Sequence, residues 1–479
     1  MSAGWLRLDD HVSEPAVSRA GSGGRWATWR LDRSDLWDAV TIAAVGFLVL
    51  AATVVGRRLE EGVDQVHAGA PPLQGEWLPR WSVSGLVAIA LAVAVVVVGP
   101  RVASAARWEW MPWLTWSVAT VWVVAVAAMD PWQSAFADRL TSRYDYLAAV
   151  PQVDRWSDLL SGFTAGIPSD AVDRWPTHVA GHPPGIMAPF VALDRLGLEG
   201  TGPAAALLVL AGASSAAALV VAARALAGEG AGRRVAPFAA LLPGAVWVAV
   251  SGDALILGVT AWAVALTAVA CVERSWVAAG GGGLLLGVSL YLSYGMVLVL
   301  GVAAAVLVAR GTWRLALATA SGVLLVVVAV TIAGFSWYEG YQLVLVRYAD
   351  GLGGVRLYSY WVWANLAAFA LAVGPAAIVG LRRALAALRP PADGSAFWTC
   401  TWLRDPANAV AVVSTAAFGA ALLATAGGLS KGEVERIWLP FGAWALLAVV
   451  AIPAHRVRWW LAAQAAVVIG VQALVQTPW

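Results

Sequence analysis

Residues 82–100 read SVSGLVAIALAVAVVVVGP, a stretch without one ionisable side chain, closed by Arg101. An α-helix rises about 1.5 Å per residue, so crossing a hydrocarbon layer about 30 Å thick takes about 20 mostly apolar residues. The stretch has that length. Runs of the same kind recur at 38–56, 113–130, 203–227, 235–251, 254–272, 276–293, 295–309, 315–334, 360–380, 407–427, 437–453 and 459–476. Together they predict an all-α polytopic membrane protein with about thirteen spans. Two of the runs meet at Ser293-Tyr294-Gly295, which must then form a tight turn.

The whole chain agrees with that reading. Of its 479 residues 60% are apolar and 13% charged, with 28 Trp. A soluble enzyme, a disordered chain and a disulfide-stapled secreted module are all excluded by this composition. The formal net charge is +2, which gives no basic surface for a nucleic acid. The lone cysteines, Cys271 and Cys400, match no metal or redox spacing. Gly280–Gly283 lies within an apolar run with no strand before it, so it predicts close helix packing rather than a phosphate loop.

Orientation follows from Lys and Arg in short loops, which stay cytoplasmic during insertion. With the N-terminus inside, 19 of the 31 basic residues fall on the cytoplasmic face, and 18 of the 29 acidic residues fall outside. The chain therefore divides into a polar, Arg-rich cytoplasmic arm at 1–37 and one transmembrane domain at 38–479. The plasma (inner) membrane is its expected location, and the bilayer its first partner.

On this topology the larger loops are external. The longest runs over 130–202 and carries Asp130, Asp138 and Asp145 near its start. Shorter ones cover 335–359, with Arg347 and Arg356, and 428–436, with Lys431, Glu433, Glu435 and Arg436. Within the long loop, 143–161 and 185–198 alternate apolar clusters with charges, a pattern of helices lying at an interface. Between them stands Trp175-Pro-Thr-His178-Val-Ala-Gly-His182-Pro183-Pro184-Gly185. Two prolines forbid a continuing helix and hold His182 on a stiff extended turn. Gly181 and those prolines keep His178 and His182 off one helix face, which argues against a zinc pair.

A long external loop with early acids and a terminal His-Pro-Pro-Gly resembles the GT-C superfamily of integral membrane glycosyltransferases. More narrowly it is similar to the protein O-mannosyltransferase and aminoarabinose-transferase branch, whose members carry (His/Lys)-Pro-Pro-Leu. Gly185 stands where that pattern has Leu. With the His-Pro-Pro-Gly, the segment Lys431-Gly-Glu433-Val-Glu435-Arg436-Ile-Trp-Leu-Pro440-Phe441 resembles uncharacterised actinobacterial members of the superfamily. The resemblance implies sugar transfer from a polyprenyl-phosphate donor to a glycan, glycolipid or protein acceptor outside the cytoplasm, usually with inversion and without a cofactor.

Such a transfer needs a carboxylate to take the acceptor hydroxyl's proton, and cations or donors on the departing phosphate. Asp130, Asp138 and Asp145 are the candidate bases, and the sequence does not choose among them. Arg436, His182, Arg347 and Arg356 are the phosphate candidates. His178, Pro183, Pro184 and Gly185 would shape the loop, with Lys431, Glu433 and Glu435 as further candidates. No carboxylate pattern resembles a metal cage, so metal-independent transfer is expected. The rivals are a lipid-linked oligosaccharide ligase or polymerase, a lipid or solute transporter (flippase), and a structural membrane partner. A transporter would be expected to carry mid-membrane charge and two related halves, neither of which the sequence displays.

Overall fold

The computed structural model describes residues 33–63, 65–388 and 401–479. Most of the expected arm (1–32), Arg389 and Cys400 lie outside the described residues. Helix begins at Arg33, so 33–37 belong to the first helix, Arg33–Val63, rather than to an arm.

Among the described residues nine helices are long and apolar enough to cross a membrane. They are Arg33–Val63, Val83–Ala105, Met111–Ala127, Thr201–Ala227, Gly252–Glu273, Trp313–Ile332, Tyr358–Ala387, Pro406–Ala426 and Val457–Leu474. Shorter apolar helices at Trp276–Leu292, Tyr294–Arg310 and Leu439–Ala451 fill three of the remaining runs. The run 235–251 gives no single helix. Glu229–Ala240 stops before Pro243-Gly244, and only a turn of helix, Ala245–Val248, follows. Proline removes a donor and drives the residue before it out of the α region, which accounts for the break. The expected interfacial helices are also short: a 3-10 turn at Leu147–Gln152 around Pro151, then Trp156–Ser161 and Ala188–Arg195.

Thr201–Ala227, Gly252–Glu273 and Tyr358–Ala387 form the centre of the bundle. Small residues bring helix backbones together, because water-driven burial between helices is absent in lipid. A Cβ on Gly283 would stand 2.0 Å from Thr319 O, and one on Gly322 would stand 2.5 Å from Gly280 O, so this glycine run is a packing device. Tyr358–Ala387 bends at Gly374, φ 77°, directly before Pro375. The first helix is peripheral, with 11% of its most apolar window buried.

The bundle has two chemically distinct ends. At one, arginines satisfy carbonyls and a small ionic network: Arg233 donates to Ala103 O and Ala106 O at 2.6 and 2.8 Å. Arg383 there pairs with Asp35 at 2.9 Å and Asp38 at 2.5 Å, and Arg456 also meets Asp35. At the other end gather the hairpin Gly69–Ala70/Leu73–Gln74, the segment 130–202, the turn at 293–298 and the segment 428–436. Strand Val475–Gln476 joins them, pairing antiparallel with Glu76–Trp77. Ser293 is extended, φ −156° and ψ 138°, and separates the two helices as a turn there requires.

Candidate functional site

Three left-handed residues, Gly428, Gly432 and Glu433, coil the segment 428–436 tightly before Val434–Ile437. Asn365 fixes this coil, accepting from Gly432 N at 3.2 Å and donating to Ser430 O at 2.6 Å. Lys431 Nζ donates to Gly353 O at 2.6 Å, so it serves structure rather than an open site. The coil delivers Glu433, Glu435 and Arg436 to the loop end of the bundle.

Arg436 is the centre of the site. Its Nη1 meets Asp253 Oδ2, its Nη2 donates to Glu433 Oε2 at 2.8 Å, and its Nε is buried with no hydrogen-bond partner. The Trp479 ring lies on the guanidinium face, 4.2 Å from its centroid. Burial alone would make Arg436 easier to deprotonate, but Asp253 and Glu433 outweigh it and hold the cation more firmly than usual. Burial likewise favours protonating Glu433, yet Arg436 and Arg356 keep its carboxyl below the usual range.

Asp253 opens the helix Gly252–Glu273 and is 2% exposed. Val250 just before it takes φ 55°, a left-handed conformation costly for a β-branched residue. A Cβ on Gly252 would come 2.5 Å from the Tyr146 ring, so glycine there lets Tyr146 reach the ion pair. Burial, with Asp253 and Asp145 nearby, pushes the Tyr146 phenol well above its ordinary range and keeps it neutral.

Tyr146 stacks on Phe190, centroids 5.3 Å apart, and brings its neighbour Asp145 to the same place. Asp145 Oδ1 accepts from Tyr146 N at 2.6 Å, while Oδ2 faces His178 Nδ1 at 3.7 Å. The Asp145 side chain is 14% exposed, which leaves it open to solvent. His178 meets the edge of Trp479, centroids 6.3 Å apart.

His182 Nδ1 lies 2.9 Å from Leu292 O, so that nitrogen carries the proton. Burial lowers its pKa. A neutral His182 thus turns an acceptor, Nε2, toward its surroundings, and would serve a phosphate only after gaining a proton. Pro183 and Pro184 lead into the 3-10 turn Pro184–Ile186. A Cβ on Gly185 would stand 2.5 Å from Tyr291 O, so the leucine of the related motif has no room here. The departure from that pattern is one of backbone packing.

The other sequence candidates lie elsewhere. Asp130 is 3% exposed, clamped by Arg80 at 2.6 Å and Arg139 at 2.8 Å, with Gln472 at 3.2 Å. Its clamp joins Arg80, ahead of the helix Val83–Ala105, to the segment 130–202. Asp138 is exposed and accepts from Gln133 at 3.1 Å. Arg347 donates to Ile167 O at 2.6 Å and Trp175 O at 3.0 Å, tying down the loop. Arg356, 5% exposed, donates to Lys431 O, His67 O and Gln74 Oε1 at 2.7, 3.0 and 2.9 Å and pairs with Glu433. Sequence reasoning missed Asp253, Tyr146 and Trp479. Asp253 had a readable signal, as an acid set between two apolar runs.

Glu435 lies behind Arg436. Its Oε1 accepts from Gln74 N at 2.9 Å, Oε2 is buried without a partner, and burial raises its pKa to about 7. Among the described residues no group of three or more His, Cys, Asp or Glu is placed to hold a metal ion. The site thus combines a solvent-reachable carboxylate with a fixed, desolvated cation at one end of an apolar bundle. Comparison with protein-family models, curated proteins and solved structures finds no match to this chain.

Proposed function

We propose that this protein is an integral membrane glycosyltransferase that moves a sugar from a polyprenyl-phosphate donor to an extracytoplasmic cell-envelope acceptor with inversion. In this reading the bundle crosses the inner membrane thirteen times, counting the short helices and the broken 235–251 run. Its loop end faces away from the cytoplasm, so a donor keeps its hydrocarbon tail in the bilayer and its head at the site.

The observation that carries the reading is the meeting of Asp145 and Arg436, 291 positions apart in numbering, around one set of neighbours: Tyr146, His178 and Trp479. Asp145 accepts the proton of the acceptor hydroxyl as its oxygen attacks the anomeric carbon. The bond between that carbon and the phosphate oxygen breaks, and polyprenyl phosphate leaves with the electron pair. Charge grows on the phosphate as it departs, and the guanidinium of Arg436, fixed in a dry site, stabilises it through its unpartnered Nε edge. Asp253 and Glu433 hold that guanidinium in place. Asp130 and Arg356 brace the segments around the site, and Asp138 takes no part.

The test is a deletion strain. Its membrane extract is expected to accumulate a polyprenyl-phosphate sugar, and its envelope glycan to be truncated. An unchanged lipid-sugar pool together with an unchanged glycan would overturn the reading.

A further inference from the structure

Beside the ion-paired cluster runs a shallow groove of about 440 Å³, formed by residues 67–69 and 74–76 on one wall and Gln476, Thr477 and Pro478 on the other. Small-molecule sites span roughly 300–1,000 Å³, so the groove has the volume of one. Its chemistry is uniform. Gln74 has its Oε1 occupied by Arg356 at 2.9 Å, which orients its amide. The side chains of Gln476 and Glu76, half-buried and exposed respectively, add an amide and a carboxylate. No lysine, arginine or large apolar side chain lines it, which makes it a poor seat for hydrocarbon, and its one nitrogen base is the imidazole of His67. Two amides, an imidazole, a threonine hydroxyl and one carboxylate suit hydroxyl groups.

The groove also leads to the reacting groups. Its wall at Thr477 and Pro478 continues into Trp479, whose ring touches Arg436 and the edge of His178, the neighbour of Asp145. Behind it, the Glu435 carboxylate that accepts from Gln74 N keeps its second oxygen buried and unpartnered. That leaves a polar side chain unsatisfied beside the groove, on the same short helix as Arg436.

We infer that this groove is the acceptor subsite, and that its ligand is a carbohydrate whose hydroxyls are read by Gln74, Glu76 and Gln476. The inference rests on the transferase reading and names the acceptor's class: a glycan or glycolipid sugar rather than a protein side chain.

The experiment uses the full chain in lipid nanodiscs and two probes, polyprenyl phosphate and a panel of defined mannose and arabinose oligosaccharides. Binding is followed by saturation-transfer NMR and by titration. Gln476→Ala and Glu76→Gln are expected to weaken oligosaccharide binding by about tenfold, the scale of one lost hydrogen bond, and to leave polyprenyl-phosphate binding unchanged. Retained polyprenyl-phosphate binding also reports that each variant is folded. Oligosaccharide bound equally by wild type and both variants overturns the groove assignment. Polyprenyl phosphate bound without any oligosaccharide overturns the groove and leaves the transferase reading standing. Failure of both probes to bind the wild type overturns both.

Discussion

Arg436 and Asp253 stand 183 residues apart in the chain and form a buried ion pair in the fold, their side chains 9% and 3% exposed. Each comes from a different part of the bundle, the coil before Leu439 and the start of Gly252–Glu273. Removing one member of a buried pair costs about 3–5 kcal/mol, because the other charge is left uncompensated. Arg436→Ala and Asp253→Ala are each expected to lower the melting temperature sharply, and the double variant to cost clearly less than their sum. Additive losses in thermal unfolding would show that the two side chains do not act as a pair.

The three aspartates at the start of the long loop separate by environment. Asp145→Asn is expected to reduce turnover by a factor of at least about 100 with little change in donor binding, as removal of a general base does. Asp138→Asn should be close to wild type. Asp130→Asn should instead lower stability, since Arg80 and Arg139 lose their shared partner. Single-turnover rates beside melting curves distinguish the three.

Glu435 predicts a pH dependence of stability. Burial raises its carboxyl to about 7, above the ordinary carboxyl range, so the folded protein binds the proton more tightly than the unfolded chain. Stability from this group is complete below the unfolded pKa and falls as pH rises through the folded value, by about 3 kcal/mol at most. Glu435→Gln should therefore remain neutral throughout and gain stability relative to wild type at pH 8, with little difference at pH 4. Parallel melting curves at the two pH values would count against a buried, proton-binding Glu435.

Trp479 predicts the behaviour of the cation it covers. An anion at the free Nε edge of Arg436 gains further contact with the guanidinium only by displacing the ring or a carboxylate, and a cation–π contact is worth about 0.5–2 kcal/mol against about 3–5 kcal/mol for breaking the Asp253 pair. The ring is the weaker obstacle. Trp479→Ala is expected to tighten polyprenyl-phosphate binding several-fold in a direct titration; weaker binding would mean that the indole belongs to the ligand's own wall.

Much of the bundle can be read from run length alone, because hydrocarbon thickness sets a minimum that 82–100 and eight of its counterparts meet as helices among the described residues. Breaks inside runs are harder to read: Pro243-Gly244 splits one apolar stretch without altering its hydropathy. The candidate site was legible in part where polar residues interrupt the pattern, as at His182, Glu433 and Arg436, whereas Asp145 stood undistinguished beside Asp130 and Asp138. Its other half was harder to read, since Asp253 shows in the sequence only as an acid between two apolar runs with its partner far along the chain, and Trp479 is one of 28 tryptophans. Arg347 and Lys431 show the converse: their charge invited a ligand role, and backbone carbonyls already accept from them.

The peripheral helix Arg33–Val63 is moored at its two extremities. Asp35 and Asp38 hold one, while near the other Tyr360 donates to Ala52 O at 2.9 Å and Glu60 accepts from Ala68 N and Gly69 N at 2.6 and 2.7 Å. Between them the helix is largely left uncovered by the rest of the protein. A bilayer thicker or thinner than the distance between those moorings would be met first by tilting of this one helix. Glu60 would pass that tilt to the hairpin, making membrane thickness a lever on the groove beside Arg436.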